Sequence, residues 1–278
     1  MRARLTGLLL LLTLTACTPA PAGPTPTVEP SPVLTDNPAA APTAAEAAWW
    51  EGITLEELPE TVTPEEEVAA GSNTLYLLSQ IPEAEIFLYG YGNDSFTGVL
   101  LRRGEELTHL DQPYLAYENP AAPELWWEDF DGDGACELAV QYLLVNTASR
   151  HLVQFHLYSP REAEWQDRTL DLTAQAQTLL DQLTCTFDTD SGMVQVSSGA
   201  LSASTYLEEP IPITGAPLTA GESIYFRQEE GDIIAVLPLG LALPGQSPLL
   251  FAHALCTVAV SGDTLTLELK NLEALYGV

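Results

Sequence analysis

Apolar residues in this chain fall mostly in short runs separated by turn residues, and in one stretch they fall at helical spacing. Leu172, Ala176, Leu179, Leu180 and Leu183 stand at i, i+4, i+7, i+8 and i+11. They form one stripe of a 3.6-residue period, with Asp171 placed to cap it. A second helix is expected from Thr63 up to Pro82. Thr63 is placed to cap it, Pro64 sits at the first helical position and Glu66 completes a capping box. Val68, Leu75, Leu78 and Ile81 give it a modest apolar face, which Gly71 weakens.

Elsewhere the period is that of strands. Residues 85–91 and 98–103 flank the turn-rich Gly92-Asn93-Asp94, and 137–145 and 151–158 flank a polar stretch from Asn146 to Arg150. Further strands are expected at 193–196, 223–228, 232–237, 251–260 and 264–269, with turns at Glu230-Gly231 and Ser261-Gly262-Asp263. The expected class is α+β and β-rich, with antiparallel strands and hairpins and about two helices. Because each helix opens a run of strands, two α+β lobes are expected, 49–165 and 166–278. No proline- or serine-rich break parts them, so one shared core is compatible with the pattern.

The start of the chain reads differently. Arg2 and Arg4 precede an apolar stretch from Leu5 to Leu14, too short to span a bilayer as a stable helix. The stretch ends Leu14-Thr15-Ala16-Cys17 and resembles the bacterial lipobox, in which a signal peptidase cleaves before a cysteine that carries diacylglycerol. The resemblance implies a lipoprotein signal peptide over 1–16 and lipidation of Cys17. It also implies a protein held on the cell membrane at its extracytoplasmic face. Residues 17–48 then form a Pro/Ala/Thr-rich tether, with eight of the chain's 21 prolines between 18 and 48. Proline removes donors and fixes φ, so this stretch is expected to be disordered and extended, reaching about 95 Å at most.

Charge narrows the partners. Asp and Glu number 39 against 9 Lys and Arg, a formal charge of −30, and Lys270 is the one lysine. A nucleic-acid role is excluded, because a phosphate backbone needs clustered cations to displace its counterions. Electrostatic docking on anionic lipid is excluded for the same reason. Contact with the membrane is therefore expected through the lipid alone.

One stretch carries recognisable chemistry: Asp129-Phe130-Asp131-Gly132-Asp133-Gly134-Ala135-Cys136-Glu137. Acids stand at positions 1, 3, 5 and 9 and glycines at 4 and 6. Alternate placement lets side chains converge from one tight loop, and the glycines permit the positive φ that wrapping needs. Calcium takes six to eight hard oxygens, and four carboxylates this close repel one another without a cation. Position 12 is Val140, so an EF-hand is excluded, and the flanks Leu125-Trp126-Trp127 and Leu138-Ala139-Val140 read as strands. The pattern is similar to the FG-GAP or VCBS loop of β-propellers and integrin heads. That resemblance implies a structural Ca²⁺ held by Asp129, Asp131, Asp133 and the carbonyl of Ala135, with Leu138 as the following apolar residue. Glu137 departs from the motif by one methylene. The loop occurs once, so the resemblance extends to the ion site and a full propeller is not expected. Asp188-Thr189-Asp190-Ser191-Gly192 reads as an ordinary hairpin turn.

Other candidates are weaker. Cys136, Cys185 and Cys256 are odd in number; Cys185 and Cys256 are compatible with a disulfide or with two buried thiols. His151 and His156 fall on opposite faces of one strand, and His109 lies near Asp111. One of Trp126 and Trp127 is expected in the core, since neighbours in a strand point to opposite faces. No serine elbow, zinc-protease helix or phosphate loop is present. No catalytic residue is assigned. The expected function is a lipid-anchored extracytoplasmic module, calcium-stabilised and non-catalytic, with a protein or glycan ligand. The alternatives are an extracellular hydrolase using a carboxylate pair and a sensor or inhibitor partner of an envelope enzyme.

Overall fold

Among the described residues every pairing between two strands is antiparallel, apart from an isolated parallel bridge of Val62 to Leu77, and the strands gather into four sheets. A computed structural model describes residue 50 and residues 52–275, apart from 65–66, 69–70, 93–97, 113–121, 147–150, 162–163, 189 and 208–216. The expected signal at 1–16, Cys17 and the tether to residue 48 lie outside the described residues. The first sheet is β1 (Ser72–Ile81), β2 (Ile86–Gly92), β3 (Val99–Arg103) and β4 (Glu106–Leu110), in that order. The second is β5 (Glu124–Glu128), β6 (Glu137–Asn146), β7 (His151–Pro160) and β8 (Trp165–Thr169). Helix α1 (Leu172–Leu180) follows, then β9 (Thr184–Asp188), β10 (Met193–Ser198) and β11 (Leu201–Tyr206) as a three-stranded sheet. The last sheet holds β12 (Leu218–Ala220), β13 (Tyr225–Glu229), β14 (Asp232–Leu241), β15 (Leu249–Ser261) and β16 (Thr264–Ala274). Its order is β12-β14-β15-β16, with β13 also paired to β14. The class is α+β and β-rich, as the sequence pattern implies.

The second sheet is buried on both faces. Leu138, Val140 and Tyr142 of β6 and Tyr158 of β7 pack with Tyr76, Leu78, Leu88, Val99 and Leu101 of the first sheet. The intervening residues Ala139 and Leu143, with Val153, Phe155 and Leu157, enter a second cluster. There they meet Leu179 of α1, Val194 and Val196 of β10, and Phe226, Ala235 and Leu237 of the last sheet. Successive residues of β6 thus serve alternate cores. A strand buried on both sides reads as a near-continuous apolar run, and 138–145 is apolar at every position except Gln141. Between those apolar residues, Gln141 is spent on structure: its Oε1 accepts the Phe226 N–H at 2.9 Å. The second cluster crosses the 165/166 boundary, so residues on both sides of it build one core.

The helix expected from Thr63 to Pro82 is not formed over residues 72–81, which are strand β1. Gly71, at φ +72°, turns the chain just before it. Tyr76 and Leu78 face the second sheet, while Leu75 and Leu77 enter a separate cluster with Leu58, Tyr89 and Leu100. A helix would bury one stripe of this segment; a strand buries both alternating sets. Tertiary burial here overrides the capping signals. Helix α1 forms as expected, and Asp171 Oδ1 accepts the Ala174 N–H at 3.0 Å. The Asp188–Gly192 segment is the β9–β10 turn, where Asp188 accepts from Ser191 Oγ at 2.6 Å and from the Asp190 N–H at 2.9 Å. Among the described residues no helix is long and apolar enough to cross a membrane.

Cys136, Cys185 and Cys256 are all free thiols. Burial pushes the Cys185 thiol up, and pushes that of Cys256 up to about 12. Since the thiolate is the reactive form, Cys256 will resist a maleimide at pH 8 in the folded protein and react on unfolding in urea, as mass spectrometry will show. Leu157, 2% exposed between the two halves of the chain, is the second test. Leu157→Ala will lower unfolding free energy by about 2–5 kcal/mol in urea titrations.

Candidate metal centre

The acidic stretch is the connection of the β5–β6 hairpin. Glu128 and Glu137 stand opposite each other as the last pair of the ladder, and residues 129–136 form the loop between them. Gly132 and Gly134 adopt φ +75° and +92°, and these turn the loop back on itself. Four side-chain-to-backbone hydrogen bonds then fix its course. Asp131 Oδ1 accepts the Asp133 N–H at 3.2 Å, and Asp133 Oδ1 accepts the Ala135 N–H at 2.8 Å. Asp129 Oδ2 accepts the Gly134 N–H at 3.0 Å, and Glu137 Oε2 accepts the Phe130 N–H at 2.8 Å.

These bonds leave oxygens over, and three carboxylates meet. Asp129, Asp131 and Glu137 each present an oxygen within 4.8 Å of the others. Glu137 is 1% exposed. Asp129 Oδ1 is enclosed and has no hydrogen-bond partner. Asp133 is not among the three; one of its oxygens is used within the loop. Ala135 is exposed, and its described hydrogen bond is the one its N–H donates to Asp133. Thus two of the three expected aspartates converge with Glu137, the residue that departs from the FG-GAP pattern. Its extra methylene lets a carboxylate on the first residue of β6 reach back beneath the loop.

The electrostatics of this cluster are unfavourable as it stands. Burial raises the Glu137 carboxyl above its usual range; the Phe130 N–H opposes this, the Asp131 and Asp133 charges add to it, and Arg168 opposes it. Arg168, on β8, is 4% exposed. Its Nη1 lies 3.5 Å from Asp131 Oδ2 and donates to the Gly262 carbonyl at 3.1 Å, while its Nη2 donates to Ser159 Oγ. One buried cation therefore lies beside the cluster, in contact with Asp131. The donor set, hard oxygens with an enclosed and unsatisfied one among them, fits a divalent cation. Arg168 carries no motif and lies 37 positions from Asp131 in sequence, so only the fold could reveal it.

A second polar cluster was also invisible in the sequence. His156, 2% exposed on β7, has Nδ1 at 2.8 Å from Asp167 Oδ1 on β8, and Gln112 Nε2 donates to Asp167 Oδ2 at 3.0 Å. Its ring stacks on Tyr158 with centroids 5.6 Å apart and meets Tyr142 edge-on at 5.5 Å. The β7–β8 pairing brings His156 and Asp167 together, and Gln112 joins them from beyond the end of β4. His109 stacks on Trp50 with centroids 3.6 Å apart. Trp126 packs against one core and Trp127 against the other, in the opposite senses that strand geometry requires.

Comparison with protein-family models, with curated proteins and with solved structures gives no match to this chain. Removing the buried cation beside the loop leaves Asp131 and the Gly262 carbonyl without it. Arg168→Ala will therefore destabilise the protein by about 3–5 kcal/mol, read as a lower urea midpoint.

Proposed function

We propose that this protein is a lipid-anchored extracytoplasmic module whose β5–β6 loop binds a structural calcium ion, and that it acts by binding rather than by catalysis. The observation that carries the ion is the meeting of Asp129, Asp131 and Glu137 within 4.8 Å, with Asp129 Oδ1 enclosed and unpartnered. Calcium takes hard oxygens in flexible geometry, and extracellular calcium modules bind at about 10⁻⁴–10⁻³ M. An ion here neutralises three carboxylates at the first residue of β6, the strand shared by both cores. Its role is to pin that hairpin. Support for the anchor is the segment Leu14-Thr15-Ala16-Cys17 behind a short apolar run, followed by the proline-rich tether. Acyl chains contribute about 0.8 kcal/mol per buried CH₂, which holds so acidic a body on a membrane without attraction to its surface.

Two measurements test the two halves. With a soluble full-length Cys17→Ser chain, about 5 mM calcium will stabilise the fold by about 1–2 kcal/mol and raise Tm by about 2–4 °C. Asp131→Asn will remove most of that increment, and magnesium will supply little of it. An unchanged Tm with calcium overturns the ion site. Cys17→Ser will abolish labelling by a clickable fatty acid in cells; persistent labelling overturns the anchor.

A further inference from the structure

The seven cations that would remain after loss of Arg2 and Arg4 are unevenly used. Arg168, Arg227 and Lys270 each have a carboxylate oxygen within 4.0 Å, at 3.5, 2.7 and 3.7 Å. Arg103 and Arg161 have none among the described residues, in a chain where acids outnumber bases by 39 to 9. Both line one cleft of about 300 Å³, between the β3–β4 hairpin on one side and Pro160, Arg161, Glu164 and Trp165 on the other, with Glu106 and Thr108 in its lining.

Each guanidinium is held by something other than an acid. Arg103 lies over two indoles, 4.8 Å from the Trp127 ring centre and 5.8 Å from that of Trp165. Those rings meet edge to face at 6.2 Å. Cation–π contact orients the guanidinium while leaving its N–H donors unspent. Arg161 donates from Nε and Nη2 to Gln166 Oε1 at 3.1 and 2.8 Å, and Gln166 is fixed in turn by Asp263 at 2.7 Å. Its Nη1 has no hydrogen-bond partner among the described residues. Two oriented cations, with donors unspent among the described residues, line a polar cleft.

We propose that this cleft binds a carboxylated sugar, such as a uronic acid unit of an acidic polysaccharide. Planar carboxylate matches the guanidinium fork. Glu106 and Glu164 accept hydrogen bonds from hydroxyl groups, Thr108 both gives and accepts them, and Trp165 offers an indole to the apolar face of a pyranose ring. The same two acids disfavour a dianion, so a phosphate is a poorer ligand than a single carboxylate. The site is separate from the acidic loop and from the lipid. It rests on the reading of this chain as an exported binding module only in supplying that module with a ligand.

The test is a titration of the Cys17→Ser chain with D-glucuronate, D-glucose and inorganic phosphate at low ionic strength and saturating calcium, followed by tryptophan fluorescence and calorimetry. Glucuronate will bind at about 1 mM, the affinity expected of so few atoms, with a response that weakens as salt is added. Glucose, which keeps the ring and lacks the charge, will bind at least about tenfold more weakly, as will phosphate. Arg161→Gln, an exposed turn substitution that leaves Tm unchanged, and Arg103→Gln will each weaken glucuronate by about tenfold or more, and Lys270→Gln, outside the cleft, will not. Glucose or phosphate binding as tightly as glucuronate overturns the assignment, as does undiminished binding in Arg161→Gln or no saturable response to glucuronate. The calcium-dependent rise in Tm is untouched by any of these results, so the two readings fail separately.

Discussion

The burial of the second sheet on both of its faces is the constraint on which the rest of this structure depends. The apolar residues of β6 from Leu138 to Leu144 must each satisfy one of two cores, one shared with the first sheet and the other with α1 and the later sheets. Such a strand tolerates no slip. A one-residue shift would send Leu138, Val140 and Tyr142 into the space built for Ala139 and Leu143, and the polar Gln141 away from the Phe226 N–H it satisfies. The β5–β6 loop is the device that sets this register, because it joins the ladder at Glu128 and Glu137.

Glu137 is accordingly placed under strain of an electrostatic kind. It is the first residue of the central strand, it is buried, and two loop aspartates reach toward the same point. The loop spends backbone N–H groups on its carboxylates and draws Arg168 from two strands away, which offsets part of the repulsion. A divalent ion would complete this neutralisation, which is why the proposed role for it is structural. It would act on the register of β6 and through it on both cores.

The chain's extreme acidity shapes its other sites as well. In a protein of charge −30 an arginine is rarely far from a carboxylate, and arginines kept from one are held by aromatic rings or amides. Arg168 is used inwardly, to balance the loop. Arg103 and Arg161 are used outwardly, at the rim of a cleft. The same residue type thus serves packing in one place and, by our proposal, recognition in another.

The hairpins at 230–231 and 261–263, the cap at Asp171 and the strands β6, β7, β13 and β14 were legible because each is written in local chemistry: turn residues, a capping carboxylate, short apolar runs. The acidic loop was legible for the same reason, since its ligand types lie within nine residues. Strand β1 was not, because its helical signals are local while the partners that make it a strand, in two separate clusters, lie far along the chain. Glu137 was legible as an acid in the loop but not as the buried member of the triad, and Asp133 was legible as an acid though not as one that stays outside it. Arg168, the His156–Asp167 pair and the Arg103–Arg161 cleft are products of strand order alone. By itself the sequence determined composition, turns, the apolar runs and the one acidic motif, all of which depend on neighbours in the chain. Tertiary structure decided which carboxylates meet and which cations face them, because those distances are set by sheet pairing between residues that local chemistry does not connect.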